Sequence, residues 1–182
     1  MVPKRLPDWR RLTLTLAVAL LAGACSTAQI DVRQNFDPDA DFSRLTRFTW
    51  LGIQAPPGIS EFDVKRVARA ITDQLVASGL REESARNRAD LGVAAYVGLY
   101  PKAVETWKRD GGLLWTRGKE LASAGAISLE IVDLRRGAVV WQGVAERPLR
   151  ENPTREQADR AISETVARLL ADFPPASPEV RR

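Results

Sequence analysis

No histidine occurs anywhere in the 182 residues. Its absence removes the commonest general base, the Ser-His and Cys-His nucleophile pairs, and most zinc and copper sites. Cys25 is the only cysteine, so there is no internal disulfide and burial must supply the stability. No GxSxG elbow, Walker loop or GxGxxG run is present either. An excess of one charge is missing as well. The chain has 27 Lys+Arg against 23 Asp+Glu, and the first 24 residues hold four of the bases and one of the acids, leaving 23 against 22. That balance carries no electrostatic footprint for nucleic acid. Together these absences argue against most enzymes and lead us to expect no catalytic residues, no metal and no cofactor.

What is present begins at the N-terminus. Lys4, Arg5, Arg10 and Arg11 precede an uncharged run, Leu12 to Gly23, in which Thr13 and Thr15 are the only polar side chains. The run has signal-peptide length and falls short of the roughly 20 residues a membrane-spanning helix needs. Leu21-Ala22-Gly23-Ala24-Cys25-Ser26 then resembles a bacterial lipobox, with cleavage between Ala24 and Cys25 and lipidation of the Cys25 thiol. Ala22 stands where lipoboxes usually carry leucine. The competing reading is an ordinary secretory signal cut after Ala22-Gly23-Ala24, with Cys25 incidental. A lone cysteine placed where lipidation needs it favours the lipobox. Ser26, in place of an aspartate that would resemble an inner-membrane retention signal, favours the outer membrane. The expected organisation is a signal peptide over 1–24, one domain over 25–175 and a disordered tail over 176–182.

Gln29 to Phe36 alternates apolar and polar residues as a half-exposed strand, which Pro38 and its flanking aspartates interrupt. Leu45 to Leu51 resumes extended structure. Ser60, with Asp63 three residues on, predicts a capping box. It opens a helix whose stripe is Val64, Val67, Ala68, Ile71 and Leu75, and Gly79 suits its end. Arg81 to Arg88 reads as a solvated connection. Leu91, Val93, Ala95, Val97 and Leu99 alternate as a strand that Pro101 ends. Asp110-Gly111-Gly112 is a candidate turn between Thr106-Trp107 and Leu113-Trp115. Ala126–Asp133 and Ala138–Glu146 form a second hairpin about Arg135-Arg136-Gly137, with Val140 and Val144 on one face of its second arm. Thr154 and Gln157 cap a last helix with the stripe Ala158, Ala161, Ile162, Thr165, Val166, Leu169 and Leu170, which Pro174-Pro175 ends. The expected fold class is α+β, a mostly antiparallel sheet with two amphipathic helices packed on one face.

Several of these segments carry a family likeness. Val32 with Asp37, then Asp41-Phe42-Ser43 leading to Phe48-Thr49-Trp50, resembles the opening of a bacterial lipoprotein family, which often has tyrosine where Phe48 stands. Ala89-Asp90-Leu91 resembles its middle strand entry. Leu129-Glu130-Ile131-Val132-Asp133 followed by Val139-Val140-Trp141-Gln142-Gly143 resembles its late hairpin, and the helix ending at Phe173-Pro174 fits its close. The family is the domain of unknown function DUF4136, predicted lipoproteins of Gram-negative bacteria. The resemblance implies an envelope lipoprotein and brings no catalytic residues.

Four groups of residues invite a functional reading. Asp37, Asp39 and Asp41 open like an EF-type calcium loop, but Phe42 and Phe48 stand where glycine and the closing carboxylate belong, so a solvated turn is expected. Trp50 and Trp141 could form a sugar-stacking platform, though core packing with the indole N–H paired is the better expectation. Asp133 beside Arg135-Arg136-Gly137 resembles a site acid and is expected to cap the turn. Trp107, Lys108, Arg109, Trp115 and Arg117, with Lys119 beside them, mix bases and aromatics as membrane-interface, acidic-glycan or protein-contact surfaces do; ordinary cross-strand aromatics are the competing account.

The expectation drawn from the chain alone is a non-enzymatic outer-membrane lipoprotein, palmitate-type acyl chains on Cys25, with its domain in the periplasm binding an envelope protein or glycan. A lipid- or small-ligand-binding module, with an apolar cavity between helices and sheet, is the alternative. A hydrolase built on paired carboxylates ranks third, since no pair stands out.

Overall fold

The computed structural model describes residues 29–109 and 115–175, with 102–122 given by their backbone alone. The signal segment 1–24, Ala24 and Cys25 within the N-terminal stretch, the turn residues 110–112 and the tail 176–182 lie outside the described residues. Strands β1 (Asp31–Phe36) and β2 (Arg47–Gln54) come first, then helix α1 (Glu61–Ala77). Strands β3 (Arg81–Glu82), β4 (Leu91–Arg109), β5 (Trp115–Asp133) and β6 (Ala138–Pro148) follow, and helix α2 (Arg155–Leu169) comes last. The six strands form one sheet in the order β1-β6-β5-β4-β2-β3. Pairing is antiparallel except that β2 runs parallel to both β3 and β4. The exception follows from connectivity. A parallel neighbour needs a crossover, and α1 is that crossover between β2 and β4.

Both helices pack on one sheet face, so the α+β expectation holds. Val67, Ile71 and Leu75 of α1, with Val166, Leu169 and Leu170 at the end of α2, share one core with Phe48, Leu91, Val93, Leu129, Ile131 and Trp141. Those side chains are at most 2% exposed. Burying an aliphatic or aromatic side chain of this size stabilises by about 1.5–3 kcal/mol each. The helix–sheet interface is therefore the main source of stability. Trp141 meets Phe173 edge-on at 5.6 Å between ring centroids, and Trp50 donates its indole N–H to Thr72 Oγ1 at 3.1 Å. Both tryptophans are packing residues. Arg147 ties α2 to the sheet by donating to the Ala161 carbonyl at 2.7 Å.

Three local expectations are corrected by the fold. Ser60 caps α1 by accepting from Phe62 N at 3.1 Å, but Asp63 pairs with Arg66 at 3.0 Å instead of closing a capping box. The full box occurs only at α2, where Thr154 and Gln157 satisfy each other's backbone amides. The charged segment 81–88 is not all connection, because Arg81 and Glu82 add an edge strand to β2. Val140 and Val144 do not share a face. Ile131 lies opposite Trp141 and Val132 opposite Val139, so Val140 is the extra residue of a β-bulge. The bulge turns Val140 and Trp141 into the core together, and Val144 stays on the helix-free face beside Glu146 and its partner Arg33.

Candidate functional site

Pro101 does not end β4. The strand runs on to Arg109, paired rung for rung with β5 from Leu91↔Asp133 to Arg109↔Trp115. Proline is accepted because its missing N–H is not needed there. Ser123, opposite Pro101, gives its carbonyl to Leu149 N on its other side at 2.8 Å, so Pro101 and Ser123 are a non-hydrogen-bonded pair. The proline nitrogen faces the far edge of β4, where β2 has already left, its last rung being Gln54↔Tyr96. On the other flank β6 leaves β5 at Ala124↔Pro148. Beyond those rungs β4 and β5 continue as a two-stranded ribbon, and among the described residues no further strand pairs with either outer edge. From Ala124 to Trp115 the ribbon extends about 30 Å.

The expected hairpin about 110–112 is therefore real in its arms, and it is longer than the sequence suggested. Register assigns the candidate residues. Trp107 lies opposite Arg117 and Arg109 opposite Trp115, so these four occupy two same-face rungs and form a block of alternating indole and guanidinium residues. Lys119, opposite Glu105, continues that face. Lys108, opposite Thr116, lies on the other one and is separated from the group.

Three more features gather at the end of the sheet from which the ribbon projects. Asp31, the first residue of β1, pairs with Glu146, which pairs with Ala126 near the ribbon base. Helix α1 starts from the loop after Gln54, and α2 from the loop after Pro148, so both helices begin at this end. Beside the N-terminal half of α1 and the start of α2 lies an open cleft lined by Phe62, Lys65, Arg66 and Arg69 of α1 and Arg155 of α2. Phe62 is 72% exposed in it. Arg66 bridges the helices, reaching Asp63 at 3.0 Å and Asp159 at 3.3 Å. Among the described residues Lys65 and Arg69 make long exposed pairs, to Glu61 at 3.8 Å and Asp73 at 3.9 Å, of the kind solvent screens.

The remaining candidates are structural. The Asp37 carboxylate accepts from Asp39 N at 3.0 Å and pairs with Arg136 at 3.0 Å. Asp41 caps the 3-10 turn Phe42–Arg44 through Ser43 N and Oγ, and the Ser43 hydroxyl bond holds its carboxyl below the usual carboxylate range. Those aspartates serve separate local turns. Asp133 accepts from Arg135 N at 2.8 Å and Arg136 N at 3.1 Å, as a turn cap should, and Gly137 closes the turn at φ 63°. Among the described residues no cluster of three or more His, Cys, Asp or Glu side chains could hold a metal ion.

Sequence reasoning met Asp90 only within the Ala89-Asp90-Leu91 likeness and gave it no role; it is 7% exposed at the start of β4. Its Oδ2 accepts from Thr46 N at 3.2 Å and Arg47 N at 3.1 Å, and its Oδ1 faces the Arg47 guanidinium at 3.3 Å. Burial disfavours its charge, but the Arg47 guanidinium and the two amides outweigh burial and hold the carboxyl below its usual range. The available signal was a carboxylate directly before the apolar alternation of β4.

Ribbon and cleft aside, the molecule is an α+β domain with both helices on one face of a mixed, largely antiparallel sheet. The chain belongs to the DUF4136 family, a domain of unknown function, whose model matches residues 32–175. Solved structures share the fold. PelC from Paraburkholderia phytofirmans, a dodecamer, is 16% identical with a TM-score of 0.53 over 79% of this chain and 96% of its own. A DUF4136 family protein from Bacteroides thetaiotaomicron is 15% identical with a TM-score of 0.52, over 78% of this chain and 96% of its own. A PDZ domain protein from Parabacteroides distasonis is 15% identical with a TM-score of 0.52 over 88% of this chain, which spans 40% of that longer one. At such identities the likeness is one of fold alone. No curated protein matches the chain in sequence.

Proposed function

We propose that the protein is a non-enzymatic lipoprotein of the outer membrane, tethered through Cys25, whose periplasmic domain binds another component of the cell envelope. The tether rests on the basic n-region, the short apolar run and the lipobox-like Ala22-Gly23-Ala24-Cys25. Multi-chain acylation holds a protein firmly where one chain would be marginal. The binding role rests on one observation above the others, the ribbon of β4 and β5. A two-stranded ribbon is marginal in water on its own, and open strand edges invite pairing. This one carries Trp107, Arg109, Trp115 and Arg117 on one face.

A photo-crosslinker at position 107 or 115 in living cells, followed by mass spectrometry, tests the reading. A discrete crosslinked protein, glycan or lipid supports it, and no discrete product overturns it. Since PelC is a dodecamer, a second copy of this chain is one product to look for. The packing favours surface binding over the alternative of an apolar cavity, because side chains at most 2% exposed fill the space between helices and sheet. Saturable one-to-one binding of a fluorescent fatty acid would reverse that preference.

A further inference from the structure

We infer that the component met by the ribbon is the phospholipid surface holding the tether, and that Trp107, Arg109, Trp115 and Arg117 form its interfacial contact. This rests on the tethered reading above and deepens it. The first argument is one of length. Residues 25–31 can span at most about 20 Å even when fully extended. Asp31 is level with Ala126, and from there the ribbon runs about 35 Å to Trp115. Tether and ribbon leave the domain at the same end, and the ribbon is the longer. A tether drawn to the membrane therefore presents the far part of the ribbon to that membrane.

The second argument is chemical. Indole rings favour the headgroup region, where one part of the side chain is apolar and the other polar. Arginines beside them suit anionic phospholipid, each basic residue near such a surface contributing attraction that fades within a Debye length. The ribbon face combines two of each within two rungs. The cleft at the same end repeats the chemistry, with exposed Phe62 among Lys65, Arg69 and Arg155. Two independent basic-aromatic features and the tether all address one side of the molecule. A protein partner would account for the ribbon face but not for its shared direction with the tether.

The test uses the mature protein purified from membranes and placed in phosphatidylcholine–phosphatidylglycerol vesicles, with brominated phospholipid as the quencher. Trp141 is 1% exposed and Trp50 is packed against Thr72, so quenching reports positions 107 and 115. We expect strong quenching in wild type and its loss in Trp107→Ser/Trp115→Ser, with the thermal midpoint unchanged. Arg109→Ser/Arg117→Ser should weaken quenching at low salt and leave the remainder less salt-dependent than in wild type, because the arginines supply the attraction that salt screens. Unquenched wild-type emission, with an acylated Cys25 peptide found by mass, overturns the membrane contact and leaves the tether standing. An unmodified Cys25 peptide refutes the tether instead. The soluble protein is then spun with the same vesicles: salt-sensitive sedimentation that the tryptophan variant loses sustains the contact, and no sedimentation overturns it. A discrete protein crosslink from 107 or 115 without quenching makes the face a protein contact and overturns the inference.

Discussion

Asp90→Ala should destabilise the domain more than any surface substitution. In the wild type the carboxylate satisfies Thr46 N and Arg47 N, and pairs with the Arg47 guanidinium. Alanine leaves two backbone donors to find water at a site where Asp90 itself is 7% exposed. Each donor left without its partner costs about 1–3 kcal/mol, and exposure of the neighbouring Thr46 and Arg47 side chains puts both near the low end. The expected loss is about 2–3 kcal/mol, or a fall in Tm of roughly 6–10 °C for a domain of this size. Asp90→Asn keeps one acceptor oxygen for the amides and should lose less. The sign of the pH dependence follows from the direction of the shift. The folded carboxyl is held below its unfolded value, so its contribution is present above about pH 4 and is lost as pH falls through the lower, folded pKa. Thermal unfolding followed by circular dichroism at pH 7 and across the acid range measures both effects. A Tm change under about 2 °C at pH 7 would refute the clamp, and so would a wild-type-to-alanine gap that does not narrow in acid.

Four further substitutions test the packing and the caps. At Gly143 an added Cβ would lie 2.5 Å from the Trp141 ring and 2.8 Å from Leu169 Cδ1, so Gly143→Ala should cost about 1–3 kcal/mol in urea unfolding. Gly92→Ala meets only the side chains of Leu51 and Leu134, which can move, and should cost clearly less; equal losses would disprove that account. Thr154→Ala removes one half of a full capping box and should cost about 1 kcal/mol. Ser60→Ala, which removes a single bond to Phe62 N, should lower the midpoint less, and the reverse order would count against the capping geometry.

The sequence by itself determined the local matters. Helical stripes with their caps placed α1 and α2, because the 3.6-residue period and the N-terminal amides are satisfied within one segment. Turn chemistry placed Asp133 and Gly137 in the β5–β6 hairpin for the same reason. The missing histidine and the single cysteine bounded the chemistry before any fold was known. The lipobox reading also belongs to sequence alone, since Cys25 lies outside the described residues. Only the tertiary structure decided what depends on neighbours. Pro101 looked like a strand end, and it lies within β4 because β2 has already departed and the edge beside it needs no donor. The bulge at Val140, the parallel pairing of β2 with β4 and the burial of Asp90 all depend on residues distant in the chain. So does the gathering of Trp107, Arg109, Trp115 and Arg117 on one face, with Lys108 left on the other. A one-residue change of register would have moved every side chain of one arm to the opposite face, and register is set by the pairing of whole strands.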